Sequence, residues 1–490
     1  MKRLFTSQPA PLSRRAIWRA ELSETMVLAW PMALTQLGHV AMMTTDLALV
    51  GRLGDAAVAG AALGQIVMFG AFVLGMGLVS AVAPLAAQGF GARDPRLVRR
   101  ALRAGLWVGL LVGIPLTYLQ LLGEPLLLAS GQSAESSALA GRYLLGLAPS
   151  LIPAWWFIAL RSFMGAVNRP QPALWITLAA IPANALLAYV LIHGAFGLPR
   201  LDLLGAGLAT TIVSFGMCVA AVWVCYACRP FKNYQILGRF WRLHGPVLRK
   251  LIGIGAPMSG TFALEYGLFA AAGLLMGWIG TAALAAHQIA LTTASIIFMV
   301  PFGIAMAATV RVGHVVGRAD ASASRRAGLV AIAMGAAFMI LMVLLVIATR
   351  DVIPILFLGD VSETNAATAS LAATLLLLGA TFFIADGVQT VAAGALRGLN
   401  DTRMPLAFAA VSFWAVGFVS SYGLGFPLGL GVVGIWIGLS VGLAVYAVLL
   451  VWRFHHLTAF GYLPDLTNTQ ESRDTLSDRS GLSARPIAAE

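Results

Sequence analysis

The chain has 490 residues, of which 59% are hydrophobic and only 11% are charged. Soluble domains carry charge on about a quarter of their residues, and a soluble fold cannot bury this much apolar surface. The formal net charge of +12 would suit a nucleic-acid-binding protein, but the basic residues are distributed differently, as described below. The composition therefore predicts an integral membrane protein whose partner is the lipid bilayer, with no nucleic acid.

Apolar stretches of about twenty residues, the length that crosses the hydrocarbon core of a bilayer, recur along nearly the whole chain. They are too long for strands and lack the period-two alternation of an outer-membrane barrel, which leaves helices as the spanning element. We predict an all-α integral membrane protein with twelve transmembrane helices. Their approximate ranges are 25–50, 57–88, 98–121, 138–160, 172–194, 203–227, 248–275, 283–308, 326–348, 368–394, 405–427 and 431–455.

The basic residues alternate between the two sides of these helices. If the amino terminus is cytoplasmic, all but four of the 32 Lys and Arg residues fall on the cytoplasmic side, as the positive-inside rule requires. The four exceptions are Arg52, Arg142, Arg200 and Arg350. We therefore expect a multi-pass protein of the cell (inner) membrane with both termini in the cytoplasm.

The order of polar and apolar segments predicts five regions. Residues 1–20 contain several Arg and no acid; a mitochondrial presequence is one interpretation, and a basic extension held at anionic headgroups is the one we favour. The regions are a basic cytoplasmic segment 1–24, a six-helix lobe 25–228, a cytoplasmic linker 229–250, a second six-helix lobe 251–456 and a disordered cytoplasmic tail 457–490.

The second half of the chain repeats the first. At an offset of 226 the coinciding residues are Pro31 with Pro257, Gly51 with Gly277, Gly54 with Gly280, Gly91 with Gly317 and Asp94 with Asp320. With a small shift, the register continues and matches Gly165 and Asn168 with Gly398 and Asp401. Because each unit holds six helices, an even number, both units have the same orientation in the membrane. Such parallel repeats form two lobes around a central cavity, which suits alternating access.

Three acidic residues stand inside the predicted helices with no other charge near them in the sequence: Asp46, Glu265 and Asp386. A carboxylate near the bilayer centre costs at least about 2.5 kcal/mol on insertion scales, so such residues usually face a cavity and serve transport. The alternative is that each acid only links helices through hydrogen bonds. Because no buried Lys or Arg is expected near these acids to neutralise them, we favour a function in binding cations, with Glu265 and Asp386 as a candidate Na⁺ site.

Other residues inside the spans are less specific signals. We expect Pro31 and Pro257 to bend the first helix of each lobe, because proline removes a backbone hydrogen bond. Asn184 either places an amide near the acid of helix 1 or links helices by packing. His39 and His287 are interpreted as satisfied core residues rather than ligands.

The sequence around the three acids resembles the multidrug and toxic compound extrusion (MATE) transporters, especially their NorM-type branch, over roughly residues 20–456. The matching stretches are TDLALVG at 45–51, AAHQIAL at 285–291 and DGVQTVAAGALRG at 386–398. The resemblance implies two six-helix bundles in a V around a central cavity. It also implies that acids in helices 1, 7 and 10 couple Na⁺ or H⁺ entry to drug exit, and the three isolated acids occupy those positions.

The resemblance extends to helix 5, where Asn184 matches a polar position of the family. One turn later this chain has Ala188, where relatives often carry a second polar residue. This departure weakens the expectation of a cation site in the first lobe.

We therefore expect a cation-coupled (Na⁺ or H⁺) antiporter that exports amphipathic, mostly cationic drugs or toxic organic compounds by alternating access. It would need no cofactor and would act as a monomer. A lipid-linked oligosaccharide flippase is an alternative, but it would carry cationic side chains in its cavity, and we expect none deep in the membrane.

An enzyme is the third alternative. An intramembrane hydrolase needs a nucleophile with a base or a metal site, and the sequence contains no H-E-x-x-H, G-x-S-x-G or P-loop motif. Cys225 and Cys228 form a C-x-x-C motif, but no second pair or nearby His completes a zinc site. We therefore do not expect an enzyme.

Overall fold

The computed structural model describes residues 13–464 except 198, 237, 239 and 360–364. This part of the chain is helical and contains no strand. Twelve helices are long and apolar enough to cross a membrane, so the predicted fold class is confirmed and the protein is a multi-pass membrane protein. The helices are α1 (Arg15–Gly51), α2 (Asp55–Gly91), α3 (Pro95–Leu121), α4 (Ala134–Ala166), α5 (Gln171–His193), α6 (Asp202–Ala227), α7 (Gly245–Ile279), α8 (Thr281–Gly317), α9 (Ala321–Thr349), α10 (Ala366–Gly398), α11 (Arg403–Gly425) and α12 (Gly431–Ala459).

Three of these helices contain an irregular segment. Helix α2 has a turn at Ala81, next to the carbonyl with which the ring of Pro84 would clash in a regular helix. Helix α4 has a 3₁₀ turn at Ala148–Ser150, which contains Pro149. Helix α11 carries a π-helix at Ala410–Phe418, a segment type that is rare and frequent at functional sites.

Helix α1 begins about ten residues before the predicted position 25, and its polar first turns are held by the second lobe. Arg311 in α8 is 6% exposed and its Nη2 lies 2.7 Å from Oε1 of Glu21. Glu24, one turn later, also pairs with Arg311. Helix α7 likewise begins inside the predicted linker 229–250. The start of α1 is therefore part of the contact between the lobes.

The turns of the two lobes repeat in structure as well as in sequence. Gly54 and Gly280 precede α2 and α8 with φ angles of 101° and 153°, in the region that favours glycine. Asp94 and Asp320 precede α3 and α9, and each side chain accepts a hydrogen bond from a backbone N–H of the first turn. These are N-caps of the usual kind. The predicted offset of 226 thus holds over the first three helices of each lobe.

The offset is 232 at the ends of α4 and α10. Asn168 and Asn400 follow these helices with positive φ angles of 60° and 59°, a conformation that asparagine tolerates better than most residues. The predicted match of Asn168 with Asp401 is therefore wrong by one residue. The turn requires a left-handed residue at one fixed position, and the backbone therefore pairs the two asparagines.

Glycines allow the two lobes to approach closely. Gly77 in α2 lies against the backbone of Ser259 in α7, and its repeat equivalent Gly303 in α8 lies against the backbone of Ala33 in α1. A Cβ atom at either glycine would collide with the facing helix. The contact is therefore made twice, once on each side of the boundary between the lobes.

Hydrogen bonds across this boundary are also made twice. Nε2 of Gln88 donates to the carbonyl oxygen of Gly398 at 3.0 Å, and Nε2 of His314 donates to the carbonyl oxygen of Ala166 at 2.6 Å. Gln88 and His314 are equivalent at an offset of 226, and Ala166 and Gly398 at an offset of 232. The two lobes thus clasp each other with matching parts of the repeat.

Ala87 and Gly313 mark the axis that relates the lobes. They face each other, a Cβ atom at Gly313 would lie 2.8 Å from Cβ of Ala87, and each is the repeat equivalent of the other. The axis of the duplication therefore passes between them. These contacts lie toward the carboxyl ends of α2 and α8, on the side of the membrane where α1 begins and α12 ends. The lobes are closed together on that side.

The segment between the lobes is fastened to the first lobe. Arg103 in α3 donates hydrogen bonds to the backbone carbonyls of Gln235 and Ile236, at 3.2 and 3.0 Å. Trp107, one turn later, donates from Nε1 to the carbonyl of Phe240 at 3.1 Å and stacks on its ring at a centroid distance of 5.4 Å. The described part of the linker is thus an ordered part of the first lobe.

Candidate functional site

Two of the three isolated acids are brought together by a glutamine. Nε2 of Gln389 donates to Oε1 of Glu265 at 2.8 Å and to Oδ1 of Asp386 at 3.0 Å. Gln389 stands one turn after Asp386 on the same face of α10, and Glu265 reaches this face from α7. Asp386 is 5% exposed and Gln389 is 2% exposed. The structure therefore places the two acids of the second lobe at one buried polar point.

Such an arrangement is suited to attract a cation. Two oxygens that share one donor nitrogen lie at most about 6 Å apart, so two ionised carboxylates here would repel by about 3 kcal/mol at an effective dielectric constant of about 20. Poor hydration adds to this cost. Each carboxyl group uses one oxygen for Gln389, and a proton, a metal ion or an organic cation can relieve the repulsion at the other oxygens.

An arginine stands beside this pair. The guanidinium of Arg397 in α10 lies 4.9 Å from the ring centroid of Phe262, which is one turn before Glu265 in α7. Side chains in a helix point toward its amino terminus, so Arg397 reaches back into the span from a position that the sequence placed on the cytoplasmic side. The expectation that no arginine stands near the acids is therefore wrong in the second lobe.

Asp46 lies apart from the other two acids, among helices of the first lobe. Nδ2 of Asn184 in α5 donates to its Oδ1 at 2.5 Å, and Oγ1 of Thr210 in α6 donates to its Oδ2 at 3.3 Å. Asn184 is fully buried, and so is Ala188 one turn later. The amide of Asn184 thus points at Asp46, while Thr210 is a partner that the sequence analysis missed.

Both predicted helix-bending prolines lie inside long helices, and each has the same companion. Oγ1 of Thr35 donates to the carbonyl of Pro31 at 2.8 Å, and Oγ1 of Thr261 donates to the carbonyl of Pro257 at 3.0 Å. Threonine hydroxyls that bond back to the carbonyl four residues earlier often bend helices. The two pairs are equivalent at the offset of 226, so the first helix of each lobe contains the same proline and threonine pair.

The position equivalent to Glu265 in the first lobe is His39, and the position equivalent to Gln389 is Phe157. The rings of His39 and Phe157 are in edge contact, with centroids 6.2 Å apart. One turn farther along α4, Arg161 is 8% exposed. Arg161 is predicted on the cytoplasmic side, and its burial shows that the expectation of no buried cationic side chain is wrong in the first lobe too.

The remaining polar candidates are placed as follows. His287 is 1% exposed, and its Nδ1 accepts a hydrogen bond from Nε1 of Trp436 at 3.1 Å, as a core residue would. Cys225 and Cys228 are free thiols, the first buried and the second exposed. Within the described ranges, no group of three or more His, Cys, Asp or Glu residues could hold a metal ion. Glu265 and Asp386 form a pair, and an ion between them would need other oxygens as well.

The sequence profile of the MatE family matches residues 31–190 and 257–422. The two matches begin at equivalent prolines and cover both lobes. A protein of Rhodopseudomonas palustris, named "Probable multidrug resistance protein NorM", is 63% identical over 446 residues, which are 91% of this chain and 94% of that protein. A protein of Bradyrhizobium diazoefficiens with the same name is 58% identical over 437 residues, 89% of this chain and 94% of its own length.

Solved structures agree with the fold. The structure described as "Crystal structure of eukaryotic MATE transporter AtDTX14" superposes with a TM-score of 0.81 at 20% sequence identity, over 91% of this chain and 99% of that one. At this identity the likeness concerns the fold, which is the same two-lobed arrangement of helices.

Proposed function

We propose, because this chain belongs to the MatE family, that it is a multidrug efflux transporter in which the entry of Na⁺ or H⁺ drives the export of amphipathic organic cations. Relatives that align with about nine-tenths of the chain are named as multidrug resistance proteins, which supports drug efflux. The observation that carries the coupling is the glutamine-bridged pair of Glu265 and Asp386. Both the drug and the coupling ion would compete for this pair.

Competition at one buried site is sufficient for exchange. A bound proton, Na⁺ ion or organic cation supplies the positive charge that the two acids lack. Binding of one therefore lowers the affinity for the others, and by reciprocal linkage the effect is equal in both directions. We propose that the coupling cation displaces the drug when the site faces outward, and that the compensated lobe then returns inward.

The closed side of the molecule is compatible with this cycle. The lobes are joined by hydrogen bonds of Gln88 and His314 on the side where α1 begins and α12 ends. We propose that this side is cytoplasmic, since most of the basic residues lie there, and that the protein is in the inner membrane. The structure would then represent an outward-facing state. Alternating access would exchange this contact for one on the opposite side, with the lobes moving largely as rigid bodies.

We propose that the protein acts as a monomer and needs no cofactor, since both lobes of the repeat are in one chain. The flippase alternative loses one argument, because the spans do contain Arg161 and Arg397. It is still not favoured, because the relatives are named as multidrug resistance proteins.

Transport into everted vesicles tests the proposal. Vesicles loaded with Na⁺ are diluted into Na⁺-free medium at equal pH with a protonophore present, and uptake of a fluorescent organic cation is followed. A second set receives only a pH gradient. Acceleration by Na⁺ that is lost in Asp386→Asn identifies Na⁺ as the coupling ion, and a response to the pH gradient alone identifies H⁺. If uptake ignores both gradients, the protein is not an antiporter.

A further inference from the structure

Equivalent positions of the two lobes carry groups of opposite character. His39 stands where Glu265 stands in the second lobe, at the offset of 226. Gln36, one turn earlier, is the equivalent of Phe262. In each lobe an arginine of the fourth helix reaches this residue, so that Arg161 contacts Gln36 as Arg397 contacts Phe262. The second lobe has acids beside its arginine, whereas the first lobe has a histidine and a glutamine.

Arg161 is a buried cation without a matching carboxylate. It is 8% exposed, its Nη1 donates to Oε1 of Gln36, and its Nε is buried without a hydrogen-bond partner. Among the described residues no acid forms an ion pair with it. Arg311, another buried arginine of the spans, pairs with Glu21 and Glu24. A buried charge without compensation is costly, and in membrane spans such residues usually mark a ligand path.

The groups around Arg161 are hydrogen-bond donors. Gln36 uses its oxygen to accept from Arg161, so its amide N–H groups are left to donate elsewhere. His39 follows one turn later on the same face of α1 and is half-buried. The guanidinium of Arg161 and the amide of Gln36 are thus in contact, and the imidazole of His39 follows on the same face of α1. Donors of this kind suit a singly charged anion, above all a planar carboxylate, which a guanidinium can bind through two parallel hydrogen bonds.

We propose that Arg161, Gln36 and His39 form a binding site for a monovalent anion, which is either the carboxylate of an exported compound or a chloride ion. With the carboxylate as occupant, Arg161 binds the anionic end of the exported compound. This inference rests on the proposed function, because the carboxylate is taken to belong to an exported compound. Its test is an equilibrium binding measurement, which does not require coupled transport.

Two dyes that differ by one ester distinguish binding of a carboxylate from binding of a cation. Rhodamine 110 carries a free carboxylate, and rhodamine 123 is its methyl ester and a simple cation. Binding of each dye to the purified full-length protein is measured by fluorescence anisotropy, in chloride and in gluconate buffer. The variants are Arg161→Gln, Arg161→Lys and Gln36→Leu. The control is Arg325→Gln, at a partly exposed arginine that contacts His455, and size-exclusion profiles report whether each variant is folded.

For the carboxylate, we expect Arg161→Gln to weaken binding of rhodamine 110 by about tenfold or more, as loss of a charge-assisted pair does, and to leave rhodamine 123 unchanged. Arg161→Lys should recover part of the loss. If chloride is the occupant, the affinity of the wild-type protein for both dyes should differ between chloride and gluconate buffer. This difference should vanish in Arg161→Gln. Equal effects of Arg161→Gln on the two dyes in both buffers, or none on either, would overturn the site. If the wild-type protein binds the dyes and no ion gradient drives transport, the proposed function fails while the anion site stands.

Discussion

Gln389 joins Glu265 across 124 residues of chain through a hydrogen bond of 2.8 Å. The same amide nitrogen serves Asp386, so both of its N–H groups point at carboxyl oxygens. A primary amide has no further donor at this nitrogen. The geometry of the acid pair is therefore set by one neutral side chain, which holds the carboxyl groups together without neutralising them.

We expect Glu265→Gln and Asp386→Asn each to reduce efflux at least about tenfold while the protein stays inserted and folded, because each change removes a charge and keeps the shape. Asp46→Asn should also impair efflux, but less, since Asp46 lies apart from the pair. Dye efflux from cells, normalised to the amount of protein in the membrane, measures the effect. Glu135→Gln, at an exposed residue near the start of α4, is the matched control. Wild-type rates in both main variants would mean that the acids are structural.

Gln389→Met should change the dependence of transport on the coupling ion, while most of the protein stays folded. The change keeps the length of the side chain and removes both hydrogen bonds, so the carboxyl groups lose the donor that aligns them. A lost partner of a buried polar group costs about 1–3 kcal/mol. The half-saturating Na⁺ concentration, or the pH of half-maximal transport, should therefore shift. Gln120→Met changes a buried glutamine of α3 as a control, and equal ion dependence in both variants would contradict the role of Gln389.

The predicted topology can be tested with introduced thiols. In a background without Cys218, Cys225 and Cys228, a cysteine at Gln132 should react with an impermeant reagent added to intact cells, and one at Asn233 should not. Both positions are exposed, so burial does not limit the reaction. Permeabilised cells should label both. Labelling at Asn233 alone in intact cells would reverse the orientation.

A disulfide across the axis should stop transport. In Ala87→Cys with Gly313→Cys the two Cβ atoms lie close together, within a small adjustment of the 3.5–4.5 Å that a disulfide needs. Oxidation should then lock the lobes and abolish efflux, and a reductant should restore it. Each single variant should transport under both conditions. Full efflux with a complete cross-link would show that this contact does not have to open.

The sequence was sufficient for the spans, because hydropathy and basic-residue alternation report on the bilayer itself. It also indicated the three acids, because an isolated charge is conspicuous in apolar sequence. Partners were harder to predict, because they depend on which helix faces which. Gln389 gave a usable signal, one turn from Asp386 within the matching stretch 386–398, whereas Thr210 gave none that distinguishes it from other threonines.

The positions predicted for Arg161 and Arg397 are wrong for one physical reason. A helix position near the membrane surface says where the Cα atom lies, but an arginine side chain is long enough to place its charge a turn or more away. Arg397 therefore reaches Phe262, and Arg161 reaches Gln36. His39 was interpreted as a core residue, and its half-buried position beside these groups became visible only when α1 and α4 were seen together.

The contacts between the linker and the first lobe have a consequence for folding during synthesis. Phe231 is 1% exposed and its ring lies 5.9 Å from that of Phe163, while Gln235 and Ile236 bond to Arg103. These binding partners belong to α3 and α4, which leave the ribosome well before the linker does. The linker can therefore dock as soon as it is synthesised, in the amino-to-carboxyl order in which chains fold during translation. The first lobe would then be complete before any helix of the second has entered the membrane.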